Sequence, residues 1–495
     1  MATIPPPPTK RQKREAFSPL PIPAIMQRIQ FLNADTHEPQ GPVVSISLSD
    51  LHPRNLSLLL NTLLENSTQT DWRFYNPLHT DEEFSQSKLL TALRDGTASS
   101  ERTLEIPYRP EAVYRVKAVT RCAGAITGHG AAILTAQFSA GSSSLLATGG
   151  GDHDVRVWDC ETLTPRLRLR GHTGWVLVVA WKGDGTLLAS GGMDCLVRLW
   201  DPVKGKAMGE PLKGHTKWIT SLAWEPGHKG GGRVASASKD CTVRVWDTAA
   251  GRVEFVLGGH KGCVSCVKWG GRGWIYTASQ DRTLKVWDAD NGGLVYSLEA
   301  HAHWINHLAL STDYVLRTGF YGDDAPPETG EGRRDKALQR FNAALKTAGG
   351  VERVVTASDD CTMFLWSPSE SKKPIQRMTG HQKQVNHVTF SPDGSMIASC
   401  GFDNHTKLWR ATDGKFICTL RGHVGPVYQC AFSADSRLLV TASKDTTLKA
   451  WNTRTGMLVE DLPGHKDEVY AVDWAPDGER VASGGKDKAV RIWCH

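Results

Sequence analysis

A histidine and a tryptophan recur through this chain in one register, and that recurrence constrains the fold more than any other feature. Gly-His pairs stand at 128/129, 171/172, 214/215, 259/260, 380/381, 422/423 and 464/465, and Ala300-His301 fits the same series. Successive histidines lie 43, 43, 45, 41, 80, 42 and 42 residues apart. A tryptophan series interleaves with them: Trp158, Trp200, Trp246, Trp287, Trp366, Trp409, Trp451 and Trp493. Of that series only Trp366 falls between His301 and His381, so the 80-residue interval is one repeat carrying an insertion, and the repeats number eight. Self-similarity at a period of about 40 residues marks a fold whose units bury their apolar faces against one another.

Two further positions keep phase. Six residues before each tryptophan lies an aspartate: Asp152, Asp194, Asp240, Asp281, Asp360, Asp403, Asp445 and Asp487. Four residues before each aspartate lies a hydroxyl: Thr148, Ser190, Ser236, Thr277, Thr356, Ser399, Thr441 and Ser483. With His129, His172, His215, His260, His301, His381, His423 and His465 they form eight potential tetrads. When buried, such side chains satisfy one another: the carboxylate accepts from a turn and from imidazole, imidazole bonds the hydroxyl, and the hydroxyl accepts the indole N–H. Runs such as Thr242-Val243-Arg244-Val245-Trp246 alternate at strand period.

This pattern resembles the WD-repeat family over residues 113–495, and the resemblance implies an eight-bladed β-propeller of four-stranded blades. The aspartate of the "WD" pair is present as Asp159, Asp201, Asp247 and Asp288 and replaced by Ser367, Arg410, Asn452 and Cys494, a position outside the tetrad. Only Cys494-His495 follow the last tryptophan, so the last repeat lacks its outermost strand. An open ring would expose unpaired edges. The alternating segment Val113-Tyr114-Arg115-Val116-Lys117-Ala118-Val119 is expected to supply that strand and staple the ring shut.

The repeated His, Asp and hydroxyl look like hydrolase triads, but a catalytic constellation occurs once and these occur in every repeat, as a folding requirement would. Cys263-Val264-Ser265-Cys266 is a lone C-x-x-C with no second pair at zinc spacing, and it reads as packing in a strand. No P-loop, dinucleotide fingerprint or H-E-x-x-H occurs. The chain is therefore expected to be no enzyme and to have no cofactor of its own. Hydrophobic residues at 40% and charged residues at 22% suffice for a real core. The longest apolar run, Trp175 to Trp181, is far too short for a membrane span, and no apolar run follows the basic N-terminus as in a secretory signal. Eleven cysteines then read as reduced thiols of the cytosol or nucleus. A net charge of +6 suits RNA-rich surroundings without pointing to them.

The insertion, residues 321–350, opens on the acidic stretch Asp323 to Glu331, expected as a flexible loop. Arg333 to Lys346 has helical spacing, with Leu338, Phe341 and Leu345 on one face. It reads either as a helix on the propeller's flank or as a basic arm for an assembly or RNA phosphate. Residues 1–25 form a tail with prolines at 5–8 and Lys10-Arg11-Gln12-Lys13-Arg14, a nuclear import signal or a solvated run. Residues 26–112 carry no repeat marker. Met26–Leu32 and Val43–Leu48 read as a hairpin. Leu56, Leu59, Leu60, Leu63 and Leu64 make a helical stripe with Asp50 as cap, and Trp72–Tyr75 and Thr103–Tyr108 read as later strands. That order suggests a small ubiquitin-like β-grasp domain (α+β).

A ubiquitin-like domain before an eight-bladed WD propeller resembles the Notchless family, as do the junction Ala112 to Cys122 and the insertion in the fifth repeat. The resemblance implies a monomeric, nuclear and nucleolar assembly factor of the large (60S) ribosomal subunit, touching pre-60S proteins and rRNA. It also implies that the ubiquitin-like domain is held by the metal-ion-dependent adhesion site of midasin, an AAA ATPase. There a carboxylate of this chain would complete a Mg²⁺ ion belonging to the partner, since a hard cation with an open position takes an anionic oxygen. The stretch Ser99 to Tyr108 resembles the family's segment carrying that acid, which makes Glu101 the candidate, with Glu105 and Glu111 as alternatives. The competing reading is a WD-repeat adaptor in Notch-type signalling or ubiquitin ligation.

Overall fold

Two alternating runs and one leucine stripe build the smaller of two units, which divide between Arg115 and Val116 in the computed structural model. The structure describes residues 26–33, 39–47, 51–64, 72–76, 79–83, 103–110, 116–322, 327 and 329–495. In the first unit β1 (Met26–Asn33) pairs antiparallel with β2 (Pro39–Ser47) and parallel with β5 (Leu104–Pro110). β3 (Trp72–Asn76) and β4 (His79–Glu83) complete a sheet of order β2-β1-β5-β3-β4, the topology of a β-grasp. Helix α1 (Pro53–Leu63) buries Leu56 and Leu60 against Ile29, Phe31, Phe74 and Ile106. Its cap is His52, not the expected Asp50, which lies outside the described residues. His52 makes no side-chain capping bond; Pro53, whose fixed φ suits a first helical turn, marks the start instead.

The second unit is a ring of eight four-stranded sheets. Its innermost strands are β7 (Ile133–Phe138), β11 (Val176–Trp181), β15 (Ile219–Trp224), β19 (Val264–Trp269), β23 (Ile305–Leu310), β27 (Val385–Phe390), β31 (Val427–Phe432) and β35 (Val469–Trp474). The cores lie between consecutive blades. One cluster joins Val243, Val245 and Leu257 of the third blade to Val264, Trp269 and Ile275 of the fourth. That arrangement sets a second periodic rule. Each tetrad hydroxyl is followed by a small residue, and the next blade's inner strand opens on valine or isoleucine. A Cβ built on Gly191 would stand 2.5 Å from Ile219 Cγ2, and one on Gly149 would stand 2.6 Å from Val176 Cγ1.

The ring is closed by the chain preceding the first repeat, but by residues other than those expected. β6 (Arg121–Thr127) pairs antiparallel with β37 (Ala489–Cys494), from Cys494 opposite Arg121 to Ala489 opposite Thr127. The expected strand at 113–119 is eight residues too early: 116–120 has no regular structure, and 113–115 lies outside the described residues. Those described residues anchor the closing strand. Val119 is fully buried against the seventh and eighth blades, and the Val116 N–H donates to Asp435. The run Arg121-Cys-Ala-Gly-Ala-Ile-Thr127 has weak strand propensity, and only its pairing with β37 makes it a strand.

Candidate functional site

The tetrad histidine lies on the turn into each inner strand, the hydroxyl on the second strand, the aspartate on the turn after it and the tryptophan on the third. In the third blade His215 Nδ1 is 2.8 Å from an Asp240 oxygen that also accepts the Thr216 N–H at 3.0 Å. His215 Nε2 is 2.8 Å from Ser236 Oγ, which accepts the Trp246 indole N–H at 2.7 Å. The other seven blades repeat this set. His129 meets Asp152, His172 Asp194, His260 Asp281, His301 Asp360, His381 Asp403, His423 Asp445 and His465 Asp487, all at 2.8–2.9 Å. The residue after each aspartate is left-handed without being glycine, from φ 63° at Cys361 to 72° at Arg282. The carboxylate holds that turn by accepting the N–H two residues on, as Asp240 does from Thr242 at 2.9 Å.

Burial alone would raise each of these carboxyls, but the histidine and the turn N–H groups outweigh it. Asp240 and Asp403 are held down at about 2. An Nδ1–H donated to the carboxylate leaves Nε2 as an acceptor for the hydroxyl proton, so one tautomer serves both neighbours, and burial pushes His215 and His465 down. The hydroxyls are wholly buried beneath tryptophan, out of any substrate's reach. This is turn-locking chemistry rather than nucleophile activation.

The fifth-repeat insertion departs from expectation at its start and on its face. It runs from the end of β23 at Leu310 to Val354, where β24 (Val354–Ser358) begins, and so exceeds the expected 321–350. It contains an unforeseen helix α2 (Asp313–Thr318) before α3 (Gly330–Thr347). On α3 the buried residues are Ala337, Phe341 and Leu345; Leu338 is exposed and does not share their face. Phe341 stacks on His228 at 5.0 Å, and a Cβ on Gly271 would stand 2.2 Å from its ring. Helix α2 lies across the mouth of the central channel. Lys268 of the fourth blade reaches Asp313 at 3.2 Å. Arg317 grips Asp473 of the eighth blade with both terminal nitrogens, one at 2.8 Å, and Tyr314 OH donates to Pro476 O. Above it in the channel, His307 and His387 lie 4.2 Å apart. Burial pushes His307 down to about 3 and His387 well below its ordinary range.

Of the remaining candidates, Cys266 is buried, with its thiol raised by burial, whereas Cys263 is only half-buried. Glu101 and Glu111 lie outside the described residues. Glu105 is exposed on β5, between β1 and β3. Among the described residues no group of three or more His, Cys, Asp or Glu is placed to hold a metal, and no helix is long and apolar enough to cross a membrane.

The WD domain, G-beta repeat family matches residues 120–159, 163–201, 206–247, 251–288, 372–410, 414–452 and 456–494. The blade split by the insertion is the one left unmatched. The chain is 48% identical to Ribosome assembly protein 4 of Saccharomyces cerevisiae over 443 residues, 85% of each chain. It is 49% identical to a Notchless protein homolog of Arabidopsis thaliana over 74% of this chain and 77% of that one. The chain belongs to the Notchless family. Ribosome assembly protein 4 of Chaetomium thermophilum is 53% identical over 84% of this chain and 85% of the relative. Among solved structures, the computationally designed Ika8 protein aligns with a TM-score of 0.60 at 25% identity, covering 76% of this chain and 100% of that one.

Proposed function

We propose that this chain is a non-catalytic assembly factor of the large ribosomal subunit that tethers the pre-ribosome to midasin. The observation that carries the reading is the extent of the likeness to the two fungal proteins named Ribosome assembly protein 4. At 85% and 84% of this chain it is longer than the propeller unit and runs into the first unit. The propeller grips the particle in the nucleus and nucleolus, and the β-grasp unit offers a carboxylate to the Mg²⁺ of midasin's adhesion domain. Glu101 is that acid. It precedes β5 by three residues in the sequence, whereas Glu105 leaves the face of a strand flanked on both sides. The metal is the partner's; this chain brings only the oxygen.

Two experiments test the reading. In a sucrose gradient of cell extract the protein should co-sediment with particles near the large subunit; sedimentation at the top alone would favour the adaptor reading. In a pull-down of midasin's adhesion domain, EDTA and Glu101→Gln should each abolish capture. Glu101→Asp should weaken it nearly as much, because a Mg²⁺ ligand must sit at about 2.0–2.1 Å and the shorter arm loses that reach. Full capture by Glu101→Gln would move the role to Glu105 or Glu111, and metal-independent capture would overturn coordination by any carboxylate of this chain.

A further inference from the structure

The inner strands all run from the histidine turns to the opposite face, where α2 and α3 lie, so the insertion covers one end of the ring and leaves the histidine end open. On that open end the residue three after each tetrad histidine sits beside the residue before each tetrad aspartate, its carbonyl accepting that residue's N–H, as Trp218 does from Lys239 at 2.9 Å. These paired positions therefore form a ring around the channel mouth. Over the second to fifth blades they carry three exposed tryptophans, Trp175, Trp218 and Trp304, at 48%, 42% and 47% exposure. Cations stand between them. Lys217 and Lys239 flank Trp218, with the Lys239 ammonium 4.6 Å from its ring centroid, and Lys261 and Arg282 occupy the fourth blade's turns. The only acids at these turns of the second to fourth blades are the tetrad aspartates, held by their own histidines. Acids do occur elsewhere at this end: Asp359 accepts from Asn306, Asp467 pairs with Lys486, Glu468 accepts from Tyr428, and exposed Glu299 lines one cavity with Lys261 and Arg282, which leaves Lys217 and Lys239 as the cations farthest from any of these acids in the turns.

Nothing in folding calls for three exposed indoles at one repeat position. The equivalent residues of other blades are Ala132, Cys263, Gln384, Pro426 and Glu468, and those blades form the same tetrads. Flat aromatic faces interleaved with cations suit a ligand with its own flat rings and a run of anions, which is single-stranded nucleic acid. We infer that the arc Trp175–Trp218–Trp304 is a docking surface for single-stranded RNA, bases stacking on the indoles and phosphates meeting Lys217, Lys239, Lys261 and Arg282. This deepens the tether reading by naming what the propeller grips, and it rests on that reading for RNA over DNA.

The test is fluorescence anisotropy of a labelled oligouridine titrated with the full-length protein. Wild type should bind, with affinity falling as salt rises. Trp218→Ala and Trp304→Ala should each weaken binding about tenfold, the scale of one lost base stack. Lys239→Ala should flatten the plot of log affinity against log salt by about 0.7, one phosphate contact on a single strand. Arg334→Ala, on α3 at the opposite end, should bind as wild type. Thermal midpoints equal to wild type establish that the exposed-site variants fold. Tryptophan variants that bind unchanged, Arg334→Ala binding as weakly as Trp218→Ala, or capture of polyglutamate but not oligouridine would each overturn the proposal. The assay contains no ribosomal particle, so its failure removes the RNA contact alone, whereas absence from the large-subunit region of the gradient removes the tether.

Discussion

Ser236 accepts from Trp246 and serves His215, His215 serves Asp240, and Asp240 ties down both the histidine turn and its own. Asp240→Ala leaves a buried imidazole and two turn N–H groups without their partner, and should cost about 1–3 kcal/mol. Chemical denaturation checks it; unchanged stability would refute the structural role. The same residues set the acid response. Asp240 is held at about 2, because Thr242, Thr216 and His215 outweigh its burial, against an unfolded value of about 3.9. As pH falls, the unfolded chain takes up that proton first, so the stability present above about pH 4 is lost as pH falls through about 2. His307 moves the other way for a base. Burial holds it neutral down to about pH 3, while the unfolded imidazole protonates from about 6.5. The unfolding free energy should therefore be level between about pH 7 and 8, decline as pH falls from about 6.5, and fall further below about pH 4. A profile level down to pH 4 would contradict the buried neutral channel histidine.

At the scale of elements, the closing strand is the point of greatest leverage. β6 joins the chain before the first repeat to its last residues, and Ile126, opposite Val490, packs with Trp158 of the first blade and Ile492 of the eighth. Ile126→Asp places an unpaired charge in that seam and should cost more than about 3 kcal/mol, among the largest effects expected of one substitution. Limited proteolysis should then cut first near residues 116–130. A change at exposed Leu338 on α3 should leave the melting temperature within about a degree or two, because surface substitutions away from special features stay within about 0.5 kcal/mol.

Taken whole, the propeller is braced across its axis as well as around its ring. Helix α2 links the fourth blade through Lys268–Asp313 to the eighth through Arg317–Asp473. Arg317→Met leaves the buried Asp473 short of its cation and should cost about 3–5 kcal/mol. Arg317→Met with Asp473→Leu should recover part of that loss, and a double-mutant cycle measures the coupling directly. Purely additive effects would mean that the brace carries no stability.

The repeat register was fully legible in the chain because it is local. His, hydroxyl, Asp and Trp lie within one blade, their spacing is set by strand and turn lengths, and a residue type that must recur for each turn to lock leaves a period in the sequence. The small residue after each hydroxyl and the β-branched opening of each inner strand were equally periodic, but their meaning lies between blades, so only the packed ring explains it. Leu338 and Ala337 show the same division: both fit a helical face, and which of them is buried depends on how α3 settles on the blades beneath it. The closing strand shows it most sharply. Val113–Val119 has the better strand pattern, yet Arg121–Thr127 holds the position, because strand identity there is decided by the exposed edge of β37, nearly four hundred residues away in sequence and adjacent only once the ring has formed.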